Sequence, residues 1–553
     1  MLVQDVIADY LKQEGVDTLF CYPTNNLIEA AAAVGIRPIV CRQERAGVDM
    51  AHGYARVNNG RKFGVFAMQF GPGAENAFSG VAAAYSDSAP ILFLPLGHAR
   101  DFAQTFPIFR SSKNFAGIVK SVEEVAVPEA TPHIMRRAMN ALKNGRLGPV
   151  MVEVPYDVLK AEAGNQSFPY RPVRRTLSAG DQRDIQDAAR MLVEAECPVA
   201  QAGQGVLYAE ASAELVELAE LLQMPVTTSV DGKSAFPEDH ALALGTNGLV
   251  MTGHGKHFMT KADVIFGIGT SLTRHSLVNP IFPYAKKFIH ATNDTRDLYK
   301  GYEMDVCVVG DAKLVLAQLV EAVRDLLGRN KRDDTVAREV AQVRDAWMEP
   351  WKKKLASDEV PITPYRVISE FMNVIAPEDA IVTHDSGSPR DQMLPFYKAT
   401  VPNSYIGWGK SHGLGSGMGM VIGAKVAAPK KFCVNFMGDA AFGMTGLDFE
   451  TAARHEIPIL TVVMNNSIMA IEIDLMKLSH ERFRTINIGG NYANIARDLG
   501  GWSERVTHPS QLGEAFLRAR RQTEEGKAAL IEVITSAETE FSHVKASLDG
   551  PGH

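Results

Sequence analysis

Residues 432–467 read FCVNFMGDAAFGMTGLDFETAARHEIPILTVVMNNS, and the order of signals in this stretch decides the fold. Phe432–Met437 is a short apolar run without polar alternation, as expected of a parallel strand covered on both faces. It ends in Gly438-Asp439, a helix is expected from about Gly446, Pro458 opens a second strand, and that strand ends in Asn465-Asn466. Asp439 and Asn466, 27 residues apart, are therefore expected at the carboxyl ends of neighbouring parallel strands, where open α/β sheets bind ligands. A carboxylate plus an amide oxygen is a hard, oxygen-only set that suits Mg²⁺, which keeps few protein ligands and completes its shell with phosphate oxygens. Gly438 lets the backbone approach phosphates closely, and a helix N-terminus nearby adds donors. Each half alone reads as a helix cap or a turn; their order at this spacing points to a metal-bridged diphosphate.

The same rhythm runs outward in both directions. Ala380–Thr383, Ile459–Met464 and Ala529–Ile534 belong with the quoted stretch. Pro38–Cys41, Phe63–Met68 and Ile91–Leu96 form an amino-terminal set, and Pro198–Ala202, Pro225–Ser229, Val264–Ile268 and Phe288–Ala291 a middle one. Two polar connectors separate the sets: 164–181, with its prolines and basic cluster, and 328–335, which leads into a charged helical stretch through Trp347 and Trp351. The expectation is three doubly wound α/β domains with parallel sheets, at 1–165, 182–327 and 360–553. A length of 553 residues accommodates about three domains.

Composition removes several function classes. Lys and Arg total 57 against 64 Asp and Glu, so the formal charge of −7 supplies no basic field for nucleic acid. No apolar run approaches the roughly 18 residues of a membrane span, and Leu2-Val3-Gln4-Asp5 carries no basic leader, so a soluble, cytoplasmic protein is expected. Five widely spaced cysteines without a CxxC pair indicate reduced, buried thiols.

On the Gly-Asp, Asn-Asn pattern the chain resembles the thiamine-diphosphate enzymes of the acetolactate synthase and pyruvate oxidase type, a superfamily that includes 2-hydroxyacyl-CoA lyases. Their motif is Gly-Asp-Gly, with Ala440 standing here at the third position. A second region is similar in order and spacing to the family's amino-terminal pattern: Arg42-Gln43-Glu44, then Gly53-Tyr54-Ala55-Arg56, then Gly71-Pro72-Gly73-Ala74-Glu75-Asn76. The resemblance implies that Glu44 is catalytic: a carboxyl hydrogen-bonded to the aminopyrimidine favours the imino tautomer that removes the thiazolium C2 proton. Burial among Val40, Cys41 and Ala46 is expected to raise its pKa. A third match, GLGSGMGMVIGA within 408–424, puts Leu414 where a bulky residue supports the bent cofactor.

By the same resemblance Pro23, Gly71, Asn76, Ser386, Gly387, Leu414, Gly438, Ala440, Ile468 and Met469 bind the cofactor, while Asp439, Asn466 and Ile468 hold Mg²⁺. The three segments become a pyrimidine-binding, a central and a diphosphate-binding domain. The cofactor lies between the first domain of one subunit and the last of another, which implies at least a homodimer and, as in many relatives, a homotetramer. Substrate contacts are expected from Thr24, Asn25, Gln69, His98 and Gln104, with Lys120 near the channel. Tyr22-Pro23-Thr24-Asn25 departs from the family's Tyr-Pro-Gly-Gly, which implies a tighter, more polar pocket. His52, His98 and His412 stand near cofactor motifs as possible proton carriers.

The middle segment carries Gly203-Gln204-Gly205, but Tyr208 occupies the third glycine position of a dinucleotide fingerprint. Gly269-Thr270-Ser271-Leu272 lacks the arginine associated with flavin-binding relatives, so FAD is not expected and the segment reads as scaffold. The leading expectation is C–C bond cleavage or formation on a 2-oxo acid or related carbonyl donor, by a decarboxylase or carboligase. The alternative, suggested by Gly417-Met418-Gly419 and a tail at 541–553 that reads as a lid or as a frayed end, is a 2-hydroxyacyl-CoA lyase or oxalyl-CoA decarboxylase. A catalytically silent scaffold is the third reading.

Overall fold

The computed structural model describes residues 1–164, 170–248, 250–273, 282, 286–328, 333–411 and 413–542. Three parallel six-stranded sheets organise them, as expected. The first contains β1 (Thr18–Cys21), β2 (Arg37–Val40), β3 (Gly64–Met68), β4 (Ile91–Gly97), β5 (Ser121–Glu124) and β6 (Val150–Pro155), in the order β2-β1-β3-β4-β6-β5. The second contains β7 (Pro198–Ala202), β8 (Val226–Thr228), β9 (Ala243–Thr246), β10 (Val264–Ile268), β11 (Lys287–Thr292) and β12 (Val306–Val309), ordered β12-β11-β10-β7-β8-β9. The third contains β13 (Ala380–His384), β14 (Tyr405–Ile406), β15 (Phe432–Gly438), β16 (Leu460–Asn465), β17 (Trp502–Val506) and β18 (Ala529–Ile534), ordered β14-β13-β15-β16-β18-β17.

The first and third sheets thus share one strand order, although no repeat is visible in their sequences. In both, the direction of winding reverses between the first and third strands, which opens a crevice at their carboxyl ends. Pro23 and Thr24 after β1 and Gln69 to Gly71 after β3 flank one crevice; Ser386-Gly387 after β13 and Gly438-Asp439 after β15 flank the other. Every residue of β1, β3, β4, β6 and β13 is buried, which is why β3, β4 and β13 read as apolar runs in the sequence.

Two helices carry the contact between these domains. Glu44–Val57 packs against Ser416–Ala427 with backbones touching: a Cβ at Gly53 would stand 2.2 Å from the Met420 carbonyl oxygen, and one at Gly423 1.9 Å from that of Met50. Gly417 and Gly419 are similarly filled, by Asn435 and Asp385 and by Ala46 and Asp49, so their glycines serve packing. One element differs from expectation. The helix after β15 begins at Asp439 itself (Asp439–Thr445), followed by a turn at Gly446–Asp448 and a helix at Phe449–Arg454. Asp439 takes the first helical position, where a carboxylate meets free N–H groups, and its Oδ1 accepts from Ala440 N at 2.7 Å.

Candidate active site

Asp439 and Asn466 follow β15 and β16, which are parallel neighbours with Gly438 opposite Met464. Both line a cavity of about 630 Å³, together with Ser386, Gly387, Leu414, Gly438, Ala440, Ile468 and Met469. Every carboxy-terminal residue expected at the cofactor or metal is therefore on one wall system. Asp439 is 3% exposed, and its second oxygen accepts from Ser467 N at 2.7 Å. Burial pushes its carboxyl up while the surrounding N–H donors oppose the rise. Asn466 Oδ1 accepts from Ile468 N at 3.1 Å, which fixes the amide. Among the described residues no group of three or more His, Cys, Asp and Glu side chains is placed to hold a metal. One carboxylate and one amide fit an ion that draws its remaining ligands from phosphate and water. At the other rim Gly387 has φ +87°, a left-handed conformation suited to glycine, and leads into the Ser388–Phe396 helix, whose first residues, Ser388 and Pro389, line the same cavity. The volume and donor set fit a diphosphate-linked heterocycle with one divalent ion.

Glu44 opens its helix after β2 and is 5% exposed. Asn76 Nδ2 donates to Glu44 Oε2 at 3.2 Å, and a Cβ at Gly73 would stand 3.3 Å from Oε1. Burial raises the carboxyl's pKa and Asn76 holds it back. Glu44, Gly73 and Asn76 thus form one group, with Gly71 beside His98 instead, yet none of them lines the diphosphate cavity, whose walls all come from residues 364–541.

The expected substrate residues fall around the first crevice, with differences. Thr24 has φ +79°, the backbone of the glycine it replaces in the family pattern. Asn25 is buried and fully engaged: Nδ2 donates to the Met68 and Leu94 carbonyls at 3.0 and 3.4 Å, and Oδ1 accepts from Leu27 N at 3.0 Å. It ties β1, β3 and β4 together and has no donor left for a substrate. His98 Nε2 lies 3.7 Å from where a Gly71 Cβ would stand, its ring meets Phe70 at 4.5 Å, and burial lowers its pKa. Gln69 is half-buried beside it, while Gln104 is exposed on the loop after β4. Lys120 is not at this edge: it precedes β5, at the amino ends of the strands, and its Nζ donates to the Ala141 and Asn144 carbonyls at 2.5 and 2.6 Å. His52 is 1% exposed and pushed down to about 3 by burial, so it stays neutral 3.9 Å from Asp87 and does not meet the cavity. His412 and residues 543–553 of the tail lie outside the described residues; Phe541 lines the cavity.

Sequence reasoning missed the grip on the loop that bears Leu414. Asp385 Oδ1 accepts from Ser386 N and Gly415 N at 2.7 and 2.8 Å, and Oδ2 from Gly417 N at 2.9 Å. The only available signal was an acidic residue two positions before a glycine after a strand, which is too common to single out.

The central sheet has the strand order of dinucleotide-binding domains, and the flavin of related enzymes can be tested against it. Gly203 and Gly205 interlock with Gly269: their Cβ atoms would stand 2.4 Å from the Gly269 carbonyl oxygen and 2.7 Å from its Cα. These glycines pack two loops on each other and leave no backbone free for a diphosphate. The cavity beside them is about 80 Å³, enough for a few waters. It is crossed by the Arg146–Asp297 ion pair at 2.8 Å and by Lys410–Asp231, with Asp311 on its wall. These residues do not fit a flavin dinucleotide.

Comparison with known proteins agrees with this geometry. Residues 1–115 match the N-terminal TPP binding domain of thiamine pyrophosphate enzymes, 185–319 their central domain, and 385–533 their C-terminal TPP binding domain. The chain belongs to the thiamine pyrophosphate enzymes, and it is an enzyme. It is 29% identical to a probable acetolactate synthase large subunit of Methanocaldococcus jannaschii, over 93% of this chain and 89% of that one. It is 28% identical to glyoxylate carboligase of Escherichia coli (98% and 94% covered) and 29% identical to sulfoacetaldehyde acetyltransferase of Alcaligenes xylosoxydans (97% and 94%). These relatives do not favour the CoA-lyase alternative. Among the described residues no helix is long and apolar enough to cross a membrane.

Proposed function

We propose that this chain is a cytoplasmic, Mg²⁺-dependent member of the family that breaks or makes a C–C bond on a 2-oxo acid or related small carbonyl donor. The observation that carries the reading is the convergence of Asp439 and Asn466, from adjacent strand tips, on one wall of a cavity of about 630 Å³. When bound, thiamine diphosphate supplies a carbon nucleophile and an electron sink for the carbonyl carbon. Asp439 and Asn466, with the Ile468 backbone, would hold Mg²⁺ against the diphosphate, and Gly387, Gly438 and Ala440 would let the backbone close on it. Leu414 would support the rings. Glu44 would hold a proton at its carboxyl against the pyrimidine, positioned by Asn76, with burial raising its pKa. Pro23 and Gly71 would bound the ring, and Thr24, Gln69, His98 and Gln104 the substrate; Asn25 would act through the strands it ties.

Because Glu44 does not line its own chain's diphosphate cavity, a second copy is needed to complete the site. This supports a homodimer as the minimum and accommodates a homotetramer. We place the domain limits at 1–165, 182–327 and 360–553. Calorimetric titration with thiamine diphosphate and Mg²⁺, followed by product analysis with a panel of 2-oxo acids and acyl-CoA thioesters, tests the reading. Saturable binding and CO₂ release from a 2-oxo acid support it. Binding without Mg²⁺ dependence, or turnover of thioesters alone, overturns it.

A further inference from the structure

One contact between the first and third domains is unused by this chemistry. Arg45, adjacent to Glu44, reaches the glycine-rich loop ahead of the Ser416–Ala427 helix. Its Nη2 donates to the Leu414 carbonyl at 2.5 Å and lies 3.4 Å from Ser416 Oγ. The loop admits the guanidinium because residue 413 is glycine: a Cβ there would stand 2.9 Å from Nη2. From the opposite side the loop is held by Asp385, through the N–H groups of Gly415 and Gly417, and by Thr445, whose Oγ1 donates to the Gly415 carbonyl at 2.6 Å. Leu414 is thus fixed between a cation of one domain and a carboxylate of the other. Asp49 balances the charge one helical turn on, 3.9 Å from Arg45 Nε, and is faced as well by Ser416, Asp385 and Asp448. Neither Arg45 Nε nor either Asp49 oxygen forms a well-aligned hydrogen bond, so the guanidinium's directional contacts go to the loop.

We propose that Arg45 is a positioning residue: it sets the height of Leu414 on the cofactor cavity and locks that leucine to the helical turn that presents Glu44. The inference rests on the reading of both residues given under the proposed function. In the dimer of that reading, the Glu44 and Leu414 of one chain serve different cofactors, so Arg45 joins one site's carboxyl to the other site's leucine.

The test is a titration of the full-length protein with thiamine diphosphate in excess Mg²⁺, followed by tryptophan fluorescence, on wild type, Arg45→Met, Arg45→Lys, Gly413→Ala and the Arg45→Met/Gly413→Ala double variant. Loss of a charge-assisted hydrogen bond to a half-buried loop is expected to weaken binding about tenfold in Arg45→Met. Gly413→Ala, which displaces the guanidinium, should act in the same direction, and the double variant should bind no worse than Arg45→Met, because both break one contact. Arg45→Lys should recover most of the loss. Unchanged binding in Arg45→Met, equal losses in Arg45→Met and Arg45→Lys, or additive losses in the double variant overturn the positioning role. If Arg45→Met does not fold, Gly413→Ala against wild type carries the comparison, and wild-type affinity there overturns it. Absence of binding by wild type would instead remove the proposed function beneath it.

Discussion

Asn76 donates its amide Nδ2 to Glu44 Oε2 at 3.2 Å, in surroundings that leave Glu44 only 5% exposed. A neutral amide meeting a desolvated carboxyl favours a group that keeps its proton to higher pH than an ordinary glutamate. Glu44→Gln preserves the shape and removes the proton, so kcat is expected to fall at least about 100-fold with the thermal midpoint unchanged. As pH rises through the elevated Glu44 pKa the acid form is lost, so kcat/KM of the wild type should decline on its alkaline side. Steady-state kinetics of both proteins across the whole pH range in which they stay folded check this.

Asp439 contributes one anionic oxygen to the proposed ion site, where Asn466 contributes a neutral one. Asp439→Ala should raise the Mg²⁺ requirement about 10- to 100-fold, and the cofactor should be lost on gel filtration. Asn466→Ala should do the same more weakly. Retention of thiamine diphosphate by both variants in the presence of a chelator would exclude the assigned ligands.

Thr24 holds φ +79°, a conformation costing a β-branched residue on the order of 1–3 kcal/mol. Thr24→Gly should raise stability in urea by about 1 kcal/mol. It should also raise KM for the donor, because the side chain that narrows the first crevice is gone. A variant less stable than wild type would show that the threonine is not strained.

Asp49 is pushed up to about 7 by burial, and Asp87, Asp385 and Asp448 to about 6. These four carboxyls therefore hold more protons in the folded chain than in the unfolded one between about pH 4 and 7. Their contribution to stability is complete below pH 4 and is lost as pH rises through that window. Asp49→Asn should match wild type at pH 4 and exceed it by on the order of 2 kcal/mol at pH 8, read from urea midpoints. A variant less stable than wild type at pH 8 would show that the ionised carboxylate is favourable there.

The interior strands were legible because burial on both faces leaves a plain apolar run. Of the edge strands β2 was legible as Pro38–Cys41, but three others were not: β5 is Ser-Val-Glu-Glu and β17 Trp-Ser-Glu-Arg-Val, half-exposed segments without an apolar run, and β14 is two residues long. Asn25 and Lys120 were placed by pattern at the substrate, but backbone carbonyls of distant segments claim both side chains. The dinucleotide-like glycines were ambiguous in sequence, since glycine serves close packing and phosphate approach equally well; only the position of Gly269 decided between them.

Sequence alone determined the positions of Asp439 and Asn466. A strand that ends in a turn carries its last polar residue to the sheet edge whatever the rest of the chain does. Tertiary structure alone decided that Arg45 meets Leu414 across 369 residues, and that Glu44 stays off its own chain's cavity. Those relationships depend on two helices whose glycines let their backbones touch, and periodicity specifies which face a helix buries but not which helix it is buried against.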